Sequence, residues 1–165
     1  MSYTLPAIED AIIARIAGDV SYLSTSSVLP IPPEMDLMIM DAVILPKSPA
    51  ALVSFDGMVV DEDREARFSD GLVWHEDYTW TILLVARSFR SLAIKFRGDS
   101  VDVGAYGILE DVVSALQGEV LLAGMDEVRV TSAQMVVKKA QSTVFQVVMT
   151  TGQDREKALS KERGL

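Results

Sequence analysis

Residues 78–86 limit the fold more than any other part of this chain. They read Tyr-Thr-Trp-Thr-Ile-Leu-Leu-Val-Ala, without a single charge and rich in β-branched and aromatic side chains. Such side chains suit a pleated surface and lose rotamer freedom in a helix, so the run predicts the chain's strongest strand. Residues 51–55 (Ala-Leu-Val-Ser-Phe) form a second, shorter apolar run, bounded by Pro46 and Pro49 on one side and Asp56-Gly57 on the other. This predicts a buried strand and a turn, with Met58 to Val60 extending the strand beyond a bulge. Asp61 to Glu65 then reads as an acidic, solvated loop tip. Two further strands are expected at 127–131, extended to about 137, and at 142–151. From Gly152 onward the chain is polar and charged and predicts a mobile tail.

Helical spacing occurs twice. Leu5, Ile8, Ile12, Ile13 and Ile16 recur on one side of a wheel, with Thr4 as cap, Pro6 tolerated in the first turn and Gly18 as the stop. Val101, Ala105, Ile108, Leu109, Val112, Val113 and Leu116 repeat the pattern until Gly118. Between them a Ser/Thr run (24–27) and Pro30, Pro32 and Pro33 predict a loop, and residues 34–45 suit either a helix or a strand. The order helix, strands, helix, strands predicts an α+β fold: a largely antiparallel or mixed sheet with two or three helices packed on it. Residues 1–152 are read as one domain and 153–165 as its charged tail.

Chemistry is sparse. The one histidine, His75, stands beside Glu76 and Asp77 just ahead of the strong strand, with no nucleophile or metal-ligand spacing around it, and reads as a surface or strand-edge side chain. Residues 61–72 fail as a calcium loop, because Ala66 and Leu72 stand where Gly and Glu are required. The carboxylate pairs Glu9-Asp10 and Glu110-Asp111 are adjacent on helices and point about 100° apart, so neither pair converges on one atom. Gly98, Gly104, Gly107 and Gly118 spell no phosphate loop, and the serines at 24–27 lack the glycines of a nucleophile elbow. The chain therefore reads as a non-enzyme without metal or cofactor; a small carboxylate-dependent enzyme is the distant alternative.

Charge and cysteine content narrow the partners. A net charge of −9 gives no counterion release on DNA or RNA and disfavours anionic membranes. The absence of cysteine excludes disulfides and thiolate chemistry. The first residues lack the basic and apolar character of a signal peptide, and no run reaches the ~20 apolar residues that span a bilayer. A cytoplasmic address is expected. Against this acidic background four cations cluster after the strong strand: Arg87, Arg90, Lys95 and Arg97. They suit either sheet-edge solubility or contact with an acidic neighbouring subunit.

Three stretches taken in order, Leu5-Pro6-Ala7-Ile8-Glu9-Asp10-Ala11-Ile12, Val85-Ala86-Arg87-Ser88-Phe89-Arg90-Ser91 and Gly104-Ala105-Tyr106-Gly107-Ile108-Leu109-Glu110-Asp111-Val112, resemble the Mu-like bacteriophage tail terminator family, in pieces from about residue 4 to 151. Phe89 and the Pro-rich stretch at 30–33 depart from that pattern. The resemblance implies a structural virion protein, made in the host cytoplasm and placed at the head-proximal end of the tail. By the same resemblance it would form a ring with itself, typically a hexamer, which would cap the tail tube protein, stop its polymerisation and offer a surface to the head–tail connector, with the sheath as a further candidate neighbour. DNA would pass through without specific binding. Another head–tail connector or a baseplate adaptor is the nearest alternative. A ring needs two complementary patches per subunit. Arg87, Arg90, Lys95 and Arg97 are the candidates for one, and the acidic residues 61–65 for the other. Asp61, Glu62 and Asp63 are also the candidates for facing the channel.

Overall fold

The computed structural model describes residues 2–31, 49–68, 71–87, 97–98, 103–138 and 142–158. The elements described in full are α1 (Leu5–Asp19), β1 (Val28–Pro30), β2 (Ala50–Arg67), β3 (Gly71–Arg87), α2 (Ala105–Leu116), β4 (Arg129–Lys138) and β5 (Ser142–Ala158). The strands make one sheet in the order β1-β2-β3-β5-β4, parallel only between β1 and β2 and antiparallel elsewhere. This is the α+β arrangement expected, with α1 and α2 on one face of the sheet.

Alternation along the strands builds that face. Tyr78, Trp80, Ile82 and Leu84 of β3, Phe145, Val147 and Met149 of β5, and Ala51 and Val53 of β2 meet Ile8, Ile12 and Ile16 of α1 and Ile108, Val112, Ala115 and Leu116 of α2 in one buried cluster. The helical residues repeat every three or four positions, the spacing that keeps them on one stripe. On the opposite face Ala50, Leu52, Val85 and Val144 are buried together with Leu29, Ile31 and Leu83 packed against them. Residues 82–86 are apolar without interruption because there both faces of β3 are covered.

Local chemistry sets the ends. Thr4 Oγ1 accepts from Ala7 N at 3.4 Å and caps α1, with Pro6 in its first turn. Gly18 does not stop this helix: it lies in the last turn, and the chain leaves at Val20, whose N–H still reaches Ile16 O at 3.0 Å. Gly118 does follow α2 as expected, in a left-handed conformation (φ +78°) that favours glycine. Arg15 ties the helices together, donating from Nε to Ala115 O (3.2 Å) and pairing with Asp19 (2.8 Å) and Glu119 (2.7 Å).

Several expectations are corrected. Pro30 is not in a loop but ends β1, a position where a proline's missing N–H is tolerated. Asp56-Gly57 is not a turn. A register shift between Phe55 and Gly57 makes it a bulge, and β2 runs on through Met58 to Val60 and beyond. Asp61 to Glu65 is likewise not a loop tip but an irregular stretch of β2, between the pairs Asp61–His75 and Ala66–Val73. The hairpin tip lies past Arg67, closed by Phe68 N donating to Gly71 O at 2.8 Å. β3 starts seven residues before Tyr78. The segment after Gly152 is strand through Ala158 rather than tail, because β3 supplies a partner for each of its residues. The region 34–45, residues 101–102 and the chain after 158 fall outside the described residues.

Candidate functional site

β2, β3 and β5 have 18, 17 and 17 residues, where strands of about 3–10 are usual. At about 3.3 Å per residue β5 spans roughly 55 Å, well past the helices. Polar clusters sit on both faces of the junction where the apolar half gives way to the distal half, and β3 alternation separates them. Trp74, Glu76 and Tyr78 point to the helix side; His75 and Asp77 point to the other.

On the helix side Glu76 is the hub. Its Oε1 accepts from Trp74 Nε1 (2.9 Å), and its Oε2 accepts from Arg155 Nε (2.8 Å) and from the Tyr78 hydroxyl. The Tyr78 oxygen in turn accepts from Gln153 Nε2 at 2.7 Å. Gln153 also clasps the N-terminal segment, accepting from Tyr3 N (2.7 Å) and donating to Tyr3 O (2.9 Å). Burial acts to raise the Glu76 pKa, but hydrogen bonds from Tyr78, Arg155 and Trp74 and the Arg155 charge outweigh it, and the carboxyl is held below its ordinary value. Tyr78 is pushed up by burial and by its carboxylate neighbour, despite the opposing bonds from Gln153 and Arg155. This network fixes the distal strands to the body of the domain.

On the other side His75, expected at the surface, is 1 % exposed. Its Nδ1 lies 2.7 Å from Asp154 Oδ1, directly across on β5. Its Nε2 lies 3.1 Å from Asp126 Oδ2 and 3.4 Å from Asp77 Oδ1, yet is aligned with no hydrogen-bond partner among the described residues. Arg64 Nη1 stands 3.6 Å from the same Asp126 oxygen, and Arg64 Nη2 lies 3.8 Å from Asp154 Oδ1. Asp126 is held at both ends of its backbone: its N donates to Gly152 O (2.9 Å), and its O accepts from Thr151 Oγ1 (2.9 Å). Gly152 provides the space, since a Cβ there would come within 2.6 Å of His75 Nε2 and 3.0 Å of Asp77 Oδ1. The cluster opens onto a cleft of about 490 Å³ that also exposes Glu127 and Arg129. Sequence spacing indicated no metal-ligand set, but His75, Asp77 and Asp126 bring donor atoms within 4.8 Å of one another. The missed signal was the alternation of β3. Asp126 and Asp154 were beyond reach because β5 was expected to end before 154.

The residues proposed from sequence are not gathered into one site among those described. Arg87 ends β3, paired with Ser142; Arg90 and Lys95 lie outside the described residues; Arg97 is exposed. Asp61 is half-buried and opposite His75 in register, the backbone of Glu62 is in β2, and Asp63 is exposed, its N–H donating to Asp61 Oδ1 at 3.1 Å. What the sequence reading did not single out is exposed apolar surface on strand edges: Met58 (47 %), Val59 (66 %) and Val60 (41 %) on β2, and Met135 and Val136 on β4. Among the described residues no strand pairs with the outer edge of β4, or with that of β2 beyond Val53.

No curated protein matches this chain at a significant level. A family of phage proteins does match, over residues 4–151, a span holding both helices, all of β1 to β4, and β5 up to Thr151. The chain belongs to the family described as Bacteriophage Mu, Gp37, and is a Mu-like bacteriophage protein.

Proposed function

We propose that this protein is a structural component of the virion, a tail terminator whose subunits close into a ring on the tail tube, stop its growth and present a docking surface to the head–tail connector. The observation that carries the reading is a pair of strand edges, at opposite sides of the sheet, that no strand among the described residues covers. Neighbouring residues on a strand point to opposite faces, so Met58-Val59-Val60 and Met135-Val136 give each edge apolar side chains above and below. Monomeric proteins protect such edges with charge, proline or a cover, because an open ladder recruits another chain. Here the two edges are different surfaces, as a head-to-tail ring requires, and a strand from one subunit can extend the sheet of the next.

Electrostatics would add to this. The acidic stretch 61–65 on β2 and the cations Arg87, Arg90, Lys95 and Arg97 are suited to opposite sides of one contact, with arginine able to bind a carboxylate through two donors. Asp61, Glu62 and Asp63 would also keep a channel wall from holding DNA phosphates. The test is the oligomeric state in solution. Wild type is expected as a closed ring, most simply a hexamer, by light scattering and electron micrographs, and Val59→Lys is expected to shift it to smaller species while far-UV dichroism is retained. A wild-type monomer at all concentrations, or an unaltered ring in Val59→Lys, removes the edge from the account.

A further inference from the structure

We propose that His75, Asp77 and Asp126 form a binding site for one first-row divalent cation, such as Zn2+ or Mn2+, with Asp154 as the residue that orients the histidine. The cluster differs from an ordinary acidic patch in its buried imidazole. His75 Nε2 points between two carboxylates and hydrogen-bonds to neither, while Nδ1 is engaged by Asp154 at 2.7 Å. When Nδ1–H donates to a carboxylate, the lone pair is left on Nε2, which is how metal-bound histidines are held in protein sites.

Distances agree with this assignment. Two ligands each about 2.0–2.1 Å from a tetrahedral ion lie about 3.3 Å apart. His75 Nε2 is 3.1 Å from Asp126 Oδ2 and 3.4 Å from Asp77 Oδ1. The three donor atoms lie within 4.8 Å of one another, so the two carboxylates need only a small rotation to close on an ion. Both carboxylates are about half exposed at the mouth of the 490 Å³ cleft, which leaves the remaining coordination positions to water. Imidazole with two carboxylates is a donor set for borderline ions rather than for calcium, which prefers six or more oxygens.

The scaffold is built for the arrangement. Asp126 is fixed through both its backbone N–H and its carbonyl, and Gly152 leaves the volume in which the three side chains meet. Arg64 is the local competitor, 3.6 Å from Asp126 Oδ2; it is half exposed, and its other nitrogen already lies 3.8 Å from Asp154, towards which it can turn when an ion enters. The bound ion would join β3 to the segment before β4 at the root of the distal strands, with Asp154 of β5 holding the histidine from behind.

His75 is the chain's single histidine, so its imidazole resonances are unambiguous in the full-length protein, provided no histidine tag is attached. After EDTA treatment, Zn2+ titration followed by calorimetry and by 15N NMR of the imidazole is expected to give one ion per chain, a shifted Nε2 and a still-protonated Nδ1. Asp126→Asn and Asp77→Asn should each weaken binding at least tenfold, and Asp154→Asn by about 10–100-fold through the lost orientation. Since both substituted ligands are surface-accessible, folding of these variants is checked by far-UV dichroism. No saturable binding of Zn2+ or Mn2+, an unmoved Nε2, or equal affinity in Asp126→Asn would each overturn the site and leave the cluster as an ion-pair clasp.

Discussion

Replacing Glu76 by Gln tests whether the helix-side network holds the distal strands to the domain. The amide keeps the shape of the side chain but can accept at only one of its two ends. If its oxygen faces Tyr78 and Arg155, its NH2 meets the Trp74 N–H donor; turned over, it meets Arg155 Nε. One half-buried donor is left unsatisfied in either case, at about 1–3 kcal/mol, and the bonds that survive lose their charge assistance, about 1 kcal/mol more. Arg155 is only 27 % exposed, so water restores a minor part. A loss of about 3 kcal/mol is expected, or about 6–12 °C in Tm for a chain of this size. Urea unfolding at a fixed protomer concentration, followed by the fluorescence of Trp74 and Trp80, measures it. The pH dependence follows from the lowered pKa. A depressed carboxylate contributes stability that is fully present above its ordinary value of 4.5 and is lost as pH falls through the lower folded value. The gap between wild type and Glu76→Gln should therefore be constant from pH 8 to 6 and narrow below pH 4.5. A gap under about 0.5 kcal/mol at pH 7, or one that does not narrow in acid, would refute the role given to Glu76.

Gly152→Ala places a methyl group 2.6 Å from His75 Nε2 and should cost about 1–3 kcal/mol by thermal melting, although glycine-to-alanine changes in strands are otherwise mild. Ile12→Ala, at a fully buried point of α1, should lose about 2–5 kcal/mol in urea titration. Arg90→Glu is expected to weaken ring formation in light scattering without altering far-UV dichroism; undiminished assembly would return Arg90 to a solubility role. Changing Asp61, Glu62 and Asp63 together to Lys should leave the ring intact but make it retain DNA in low-salt gel shifts, since each cation at a channel wall releases counterions from phosphate. Absence of retention would take these residues out of the channel.

Sequence periodicity was enough for the inner half of the molecule. Ile8, Ile12 and Ile16, and Ile82 to Val85, are apolar because the core requires it, and the pattern was readable in both places. The distal half was not legible for the opposite reason. Gln153, Asp154 and Arg155 have weak strand propensity, and their strand exists because β3 pairs with them across the sheet, a tertiary effect that overrides local preference. Ending β5 at Thr151 concealed Gln153 and Arg155 from the Glu76 network and Asp154 from His75. His75 itself looked like a surface residue because Glu76 and Asp77, the two residues that follow it, are acidic. The partners that bury it come from residues about fifty and eighty positions further along the chain, and no local motif encodes that distance.

The most direct test of ring capping uses polymerising tail tubes. Tube subunits assembled with this protein present should stop at shorter, bounded lengths, and micrographs should show a ring at one end of each tube, absent when Val59→Lys is substituted. Tubes that lengthen unchanged and carry no added density at either end would contradict the terminator role, and binding to connector rings alone would move the protein to the other side of the head–tail joint.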